Sequence, residues 1–120
     1  QPESLEQRQK AVAEQWAFFW MMTAVTIKYI VRQDGVFATI WIEHLHSMVS
    51  EIERWLNGEP WKYHRGSLSQ LQNTPKKQIE LLKQLCQRMQ ELQPKVTEFT
   101  GLEPLMPITE IETLFSFANN

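Results

Sequence analysis

The 120-residue chain carries a net charge of −2 and has a pI near 5.9, which argues against a general nucleic-acid-binding protein. Its content of 42% hydrophobic and 22% charged residues is typical of one globular domain rather than of a disordered or fibrous chain. The single cysteine, Cys86, excludes an intrachain disulfide and a cysteine-based zinc site, and it favours a reduced, cytoplasmic setting.

The first predicted helix extends from Pro2 to Arg32 and is apolar on two sides. One side follows helical spacing and is expected to face the core: Leu5, Val12, Trp16, Phe19, Trp20, Thr23, Ile27, Ile30 and Val31. The opposite side of this helix is also apolar, although a single core would need only one apolar side. We therefore expect a partner to cover the residues of this second side: Phe18, Met21, Met22, Val25 and Tyr29. The uncharged run from Gln15 to Ile27 is shorter than the roughly 20 residues of a membrane span, so no membrane is expected as a partner.

The second predicted helix covers about Val36 to Leu56, after the Asp34-Gly35 turn. Its apolar stripe is expected in the core: Phe37, Ala38, Trp41, Leu45, Met48, Val49, Ile52, Trp55 and Leu56. Gly58 and Pro60 stop this helix. The stretch from Trp61 to Asn73 has no strong period.

Thr74 and Pro75 predict a third helix start, as an N-cap followed by proline at the first helical position. Gly101 predicts the end of this helix, and Pro94 is expected to kink or divide it near Leu92. A short last helix is predicted from Thr109, with Ile111, Leu114, Phe115 and Phe117 as its apolar residues. Because no strand pattern occurs, we expect an all-α fold, an antiparallel four-helix bundle-like single domain over residues 1–120.

Candidate catalytic groups are few. The sequence contains no GxGxxG, GxxxxGK[ST] or GxSxG motif. His44 and His46 are two residues apart and point in different directions on a helix, whereas Glu43 and His46 share a face as a metal-binding pair would. A single such pair is more typical of a solvated edge, and Cys86 on its apolar stripe is more typical of a buried, inert thiol. Among the tryptophans, Trp16, Trp20, Trp41 and Trp55 fit core positions, and Trp61 stays open as a ligand contact.

Lys28 and Arg32 lie one helical turn apart, on the side of Met21 and Val25. Two cations that close an apolar face suit a phosphate or carboxylate partner. The alternative is that their stems cover apolar surface while their charged ends reach water. The residues alone leave both interpretations open, with the second favoured.

The run from Phe18 to Trp55 resembles the C-terminal helical domain of nucleotidyltransferase-fold proteins such as aminoglycoside and lincosamide adenylyltransferases. An aromatic-rich helix ends in Lys28, Arg32 and Asp34, with Gln33 where the family pattern has glycine. Gly58 and the proline-opened helix at Pro75 follow, so the resemblance covers Trp16 to Phe99. The family's basic residue late in the second helix is not matched, and His46 is the nearest candidate.

The resemblance implies an accessory domain whose chemistry belongs to a catalytic domain expected upstream of Gln1, in a longer protein. That domain would bind a nucleoside triphosphate and Mg²⁺ and transfer a nucleotidyl group to an acceptor hydroxyl. No Gly-Ser motif with an Asp-x-Asp pair occurs here, since Asp34 is the only aspartate, so no catalytic residue or cofactor is expected in this chain. Lys28 and Arg32 would contact nucleotide phosphates. Glu43, His46 and the open candidate Trp61 would contact the acceptor.

A second hypothesis needs no catalytic domain. The double-sided first helix would then be covered by a homodimer mate or a heterologous subunit, and the chain would be a standalone helical interaction module. A third possibility, a regulator that binds a small ligand in the aromatic core, has no specific residue to support it.

Overall fold

The fold is all-α, as the sequence predicts. The computed structural model describes residues 4–58 and 74–118, and within these ranges the only regular elements are four helices. They are α1 (Leu5–Val31), α2 (Gly35–Asn57), α3 (Pro75–Thr100) and α4 (Ile108–Ala118). Their packing is that of a helical bundle, in which α1 contacts each of the other three helices. This central position explains why α1 is apolar over so much of its circumference.

The N-terminal end of α1 is set by a capping box. The Ser4 hydroxyl accepts a hydrogen bond from the Gln7 backbone N–H, and the Gln7 side chain accepts one from the Ser4 backbone N–H. These two bonds satisfy donors that have no partner inside the helix. The helix therefore begins at Leu5, and Pro2, from which it was expected to extend, lies outside the described residues.

A tight connection turns the chain back from α1 into α2. Gln33 adopts a left-handed conformation with φ 63°, and the Asp34 side chain caps α2 by accepting from the Phe37 backbone N–H. Tyr29 stacks on Phe37 beside this turn, and Arg8 hydrogen-bonds the Trp55 carbonyl oxygen at the far end. These contacts make α1 and α2 an antiparallel pair, as expected for a helical hairpin.

The core follows the predicted stripes in most places, with several corrections. Ile42 is fully buried although the predicted stripe of α2 left it out, because α2 packs against both α1 and α3 and so buries a wider arc. Leu5 and Val31 are 58% and 42% exposed, since they lie at the two ends of α1, and Phe37 lies exposed at the start of α2. The expectation that these three residues belong to the core is wrong.

Pro94 does not divide α3, so of the two expected outcomes, a kink or a division, the division is wrong, and the helix is continuous through Pro94. Proline removes the N–H that would bond the Gln90 carbonyl. Both residues are exposed, so water can satisfy that carbonyl oxygen. The predicted caps of this helix are confirmed: the Thr74 hydroxyl accepts from the Lys77 backbone N–H, and Gly101 ends the helix with φ 77°.

The last helix begins at Ile108, one residue before the predicted start. Ile111 and Phe115 are buried against the core, and Leu114 packs on it half-buried. Phe117 was expected on the same apolar side, but it is exposed. None of the helices described has both the length and the hydropathy required to cross a lipid bilayer.

Candidate functional site

The most distinctive surface of the molecule is a stripe along the outer side of α1. Its members follow one another at intervals of three and four residues and so share one side of the helix: Phe18, Met21, Val25, Lys28 and Arg32. We call this set the outer stripe. Four of the five are exposed and Val25 is half-buried. The outer stripe is therefore apolar for two turns and ends with two cations.

Residues of α2 extend this surface sideways. The Trp41 ring meets the Phe18 ring edge-on with centroids 6.3 Å apart, and the centroid of the His44 ring lies 5.2 Å from that of Trp41. Ile40 is exposed on the same side of α2, one helical turn before His44. The outer stripe and these α2 residues thus form one mixed aromatic and aliphatic surface.

The expected partner face of α1 is only partly free. Met22 and Tyr29 are half-buried and pack against the core, and the Tyr29 ring stacks on Phe37 at 4.5 Å. The helix hairpin itself covers this part of the face. Phe18 and Met21 stay open to solvent, at 40% and 55% exposure, so they are the apolar residues left for a partner.

Lys28 and Arg32 both lie exposed where α1 ends. Arg32 is the C-cap, and its backbone N–H donates to the carbonyl oxygens of Lys28 and Ile30. Within residues 4–58 and 74–118, neither side chain forms an ion pair. The two cations therefore extend into solvent from a fixed helix end, at the negative end of the helix dipole.

Glu43 and His46 lie on a different side of the hairpin. They fall on the stripe of α2 that includes Thr39 and Glu53, at spacings of three and four. Thr39 is hydrogen-bonded by Gln78 of α3, and Glu53 pairs with Arg88 of α3, so this stripe faces α3. The structure thus groups Glu43 with His46 but does not bring them to Lys28 and Arg32.

No metal centre emerges from the described part of the chain. There, no group of three or more His, Cys, Asp or Glu side chains is placed to hold an ion. Glu43 and His46 are both half-buried, and His46 has a contact that ties it to its surroundings. Trp61, the remaining candidate for acceptor binding, lies outside the described residues.

The tryptophans divide into two classes. Trp16 and Trp20 are almost fully buried in α1, which confirms their expected core positions. Trp41 and Trp55 are half-buried; Trp55 packs against the core and also lies under the Arg54 guanidinium at 4.4 Å. Trp41 instead contributes its ring to the surface beside the outer stripe. The core interpretation therefore holds fully for two of the four.

Cys86 is buried on the inner side of α3, as expected. Burial raises the pKa of its thiol to about 12, because the thiolate would lose its hydration in the apolar core. The thiol is therefore protonated and unreactive at neutral pH.

Sequence reasoning missed a cavity between α1, the 101–107 connection and α4, with a volume of about 540 Å³. The signal for it was present in α1, where Ala13, Ala17 and Ala24 share one side with the bulky Trp16 and Trp20. Small side chains between large ones leave a gap on the surface of a helix, and a neighbouring segment does not always fill that gap. Whether a cavity results here depends on the path of residues 101–107, and no periodic sequence pattern predicts that path.

The comparisons with known proteins provide no relative: no protein family, curated protein or solved structure matches this chain.

Proposed function

We propose that this chain is the substrate-binding helical domain of a nucleotidyltransferase and docks on the catalytic domain through the outer stripe. The observation that carries the proposal is the make-up of that stripe, in which exposed Phe18 and Met21 lead directly to exposed Lys28 and Arg32. Residues 18–55 resemble the helical domain of such enzymes, and this resemblance suggests the catalytic domain as the partner. The stripe supports the proposal by offering an apolar contact and an anion contact side by side.

The apolar half of the stripe is suited to burial. Contacts between domains of one chain bury roughly 600–1,500 Å² and are more polar than obligate interfaces. Phe18, Met21 and the neighbouring Ile40 would form the apolar centre of such a contact, with Trp41 held in place by Phe18. Aromatic residues and methionine are enriched in interfaces because they bury much area with few constraints.

The basic half of the stripe is suited to phosphate oxygens. Lys28 and Arg32 lie on the same side of the helix within one turn, so both can reach one triphosphate or one carboxylate. In this proposal they contact the nucleotide bound by the catalytic domain. Glu43 and His46, on the α3 side of the hairpin, would contact the acceptor only if the acceptor extends around α2 to that side.

The gene itself provides the first test. The coding sequence before the Gln1 codon should encode a domain of about 120 to 180 residues that contains a Gly-Ser motif and an Asp-x-Asp pair. A start codon at or just before Gln1 would refute the proposal.

Nucleotide affinity provides the second test. In the protein that contains both domains, Lys28→Ala should weaken binding of Mg-ATP or Mg-GTP, whichever binds, by about tenfold, because a charged phosphate contact is lost. Lys10→Ala is the matched control, since Lys10 is an exposed lysine of the same helix that only pairs with Glu14 at 3.9 Å. Equal nucleotide affinity in the Lys28→Ala variant and the parent would exclude the phosphate role.

The exposed apolar residues also favour a second candidate, a self-associating interaction module. In that case Phe18, Met21 and Ile40 would be covered by a second copy of the chain. Sedimentation at about 100 µM chain should then detect a dimer that Met21→Glu converts to monomer and Gln84→Glu, at an exposed position of α3, does not. A monomer at this concentration would exclude the candidate.

A further inference from the structure

One end of the bundle gathers the ends of all four helices. Gln78 of α3 donates to the Gly35 carbonyl oxygen of α2, so the first turns of these two helices lie side by side. A hollow at the same end is bordered by the last turns of α1 and α4 and by the start of α3. We call the exposed residues of these helix ends the end face: Val31, Arg32, Val36, Lys76, Lys77 and Phe117.

The apolar part of the end face comes from three different helices. Val36 of α2 and Phe117 of α4 are 77% and 68% exposed, and Val31 of α1 is 42% exposed. Phe115 already closes the core under the last turn of α4, so Phe117 projects beyond the core. Apolar side chains grouped in this way at one end indicate a contact surface more strongly than single exposed residues do.

The basic part of the end face is placed against the local helix dipole. Lys76 and Lys77 lie exposed in the first turn of α3, and within residues 4–58 and 74–118 neither forms an ion pair. The first turn of a helix favours acidic side chains and disfavours cations, yet that of α3 has no acidic residue. Arg32 differs, since a cation is favourable where α1 ends. The stability of α3 therefore does not explain the two lysines.

The positive charge of this end is local. Asp34 lies at the same end, but its carboxylate is engaged in capping α2, and Glu80 lies one turn further into α3. Arg32, Lys76 and Lys77 outnumber Asp34, so the end is positive although the whole chain has a net charge of −2. A partner that matches this end is therefore anionic and also offers an apolar layer.

We propose that the end face docks on the surface of a membrane that contains anionic lipids. Val36 and Phe117 would enter the boundary between headgroups and acyl chains, while Lys76 and Lys77 contact lipid phosphate and carboxylate groups beside them. The earlier expectation of no membrane partner concerned a spanning helix, whereas this contact stays on the surface. The proposal does not depend on a catalytic domain, and the end face shares only Arg32 with the outer stripe.

The apolar residues favour a lipid surface over a nucleic acid. A nucleic-acid duplex presents its phosphates to the outside, which suits Lys76 and Lys77, but it has no apolar layer for Val36 and Phe117 to enter. A lipid surface meets both requirements, because anionic headgroups lie directly above the acyl chains.

Vesicle co-sedimentation of the full chain tests the proposal. One set of vesicles contains phosphatidylcholine and phosphatidylserine at about 2:1, and the other contains phosphatidylcholine alone. We expect binding to the anionic vesicles to be at least about tenfold stronger and to weaken when the salt concentration is raised from about 0.1 to about 0.5 M. No binding to the anionic vesicles, or equal binding to both sets, would overturn the proposal.

A pair of matched double variants locates the basic contact. Lys76→Ala with Lys77→Ala should weaken binding to the anionic vesicles by at least about tenfold, since each cation near such a surface contributes about fivefold. Lys10→Ala with Lys95→Ala removes the same charge from exposed positions away from the end face and should change binding by less than about twofold. Equal losses in the two double variants would overturn the proposal.

The same lysine variant separates docking from a structural role and from nucleic-acid binding. Its melting temperature should equal or exceed that of the parent chain, because two cations leave the unfavourable end of the α3 dipole. Weaker binding to a DNA duplex of about 20 base pairs, with unchanged binding to the anionic vesicles, would assign the end face to nucleic acid and overturn the proposal.

A further pair of variants tests the apolar contact. Phe117→Ser should weaken binding to the anionic vesicles by at least about fivefold, because a ring that enters the acyl boundary is lost. Leu5→Ser is the control, since Leu5 is 58% exposed at the opposite end of α1. Unchanged vesicle binding in Phe117→Ser, or the same loss in Leu5→Ser, would overturn the proposed docking.

Discussion

The indole N–H of Trp16 donates a 2.6 Å hydrogen bond to the Leu105 carbonyl oxygen, which joins positions 89 residues apart. This bond connects the centre of α1 to the segment between α3 and α4. Trp20, one turn further along the same helix and equally buried, has no acceptor for its N–H. Two neighbouring tryptophans of one core therefore differ in a single polar contact.

This difference predicts unequal costs for the same substitution. Trp16→Phe removes a made hydrogen bond, whereas Trp20→Phe removes a buried donor that is already unpaired. We expect Trp16→Phe to lower the free energy of unfolding by about 1–3 kcal/mol more than Trp20→Phe. Urea unfolding followed by circular dichroism measures both, and an equal or larger loss for Trp20→Phe would contradict the reasoning.

Alanine substitutions at three glycines should change the free energy of unfolding by different amounts and in different directions. Gly35 is the first residue of α2 and has open space where a Cβ would be placed, so Gly35→Ala should stabilise by about 0.4–1 kcal/mol. Gly101 has equal space but a φ of 77°, so Gly101→Ala should destabilise by about 1 kcal/mol. Gly58→Ala should cost more than Gly101→Ala. Its φ is 67°, and its Cβ would lie 3.1 Å from the Arg8 guanidinium.

Arg8 cannot move away from residue 58 without loss, because its guanidinium donates to the Trp55 carbonyl oxygen at 2.7 Å and lies 5.1 Å from the Phe99 ring centroid. Thermal unfolding of the three alanine variants should therefore rank them Gly35, Gly101 and Gly58 from most to least stable. The Arg8→Ala background serves as control, since there the difference between the last two should disappear. A difference that persists without Arg8 would show that the contact has no energetic role.

Gln78 connects the starts of α3 and α2. The residue is 2% exposed, and its amide Nε2 donates to the Gly35 carbonyl oxygen at 3.3 Å and to the Thr39 hydroxyl at 3.1 Å. Gln78→Ala should lower the free energy of unfolding by about 1–3 kcal/mol, because contacts between two helices are lost at a buried site. Gln84→Ala, at an exposed position of the same helix, should change it by less than about 0.5 kcal/mol. Similar losses in the two variants would contradict this role.

Much of this fold could be predicted because its determinants are local. Thr74 with Pro75 and the glycines at 58 and 101 define helix ends through the backbone conformations they favour, and apolar spacing identifies the helices between them. Ile42 was missed because one helix stripe was assumed, whereas α2 packs against two neighbours. Pro94 does not divide α3, because an exposed side of a helix tolerates the loss of the hydrogen bond that proline removes.

The candidate sites were harder to predict from the sequence, because they depend on how the helices pack against one another. Spacing placed Lys28 and Arg32 together, but only packing reveals that Met22 and Tyr29 are covered by the hairpin while Phe18 and Met21 are not. Only packing separates Glu43 and His46 from the two cations. The cavity depends on the irregular connection at residues 101–107. The path of this connection is determined by a tertiary contact with Trp16, which no periodic sequence pattern predicts.

Burial of Cys86 predicts a specific loss of stability in alkali. The pKa of its thiol is about 12 in the folded protein against an ordinary value of 9.0, so the thiol is protonated in both states below pH 9. Between pH 9 and 12 only the unfolded thiol ionises, which favours unfolding. The free energy of unfolding should fall by about 1.4 kcal/mol per pH unit from this group.

Comparison with Cys86→Ala isolates the thiol, because the lysines and tyrosines that also titrate in alkali are common to both proteins. The alanine variant should be less stable at pH 7, from the lost packing of a buried sulfur, yet its stability should fall less steeply between pH 9 and 11. Urea unfolding at a series of pH values measures both slopes. Parallel slopes would mean that the Cys86 thiolate is accommodated in the folded core, contrary to its burial beneath the α3 surface.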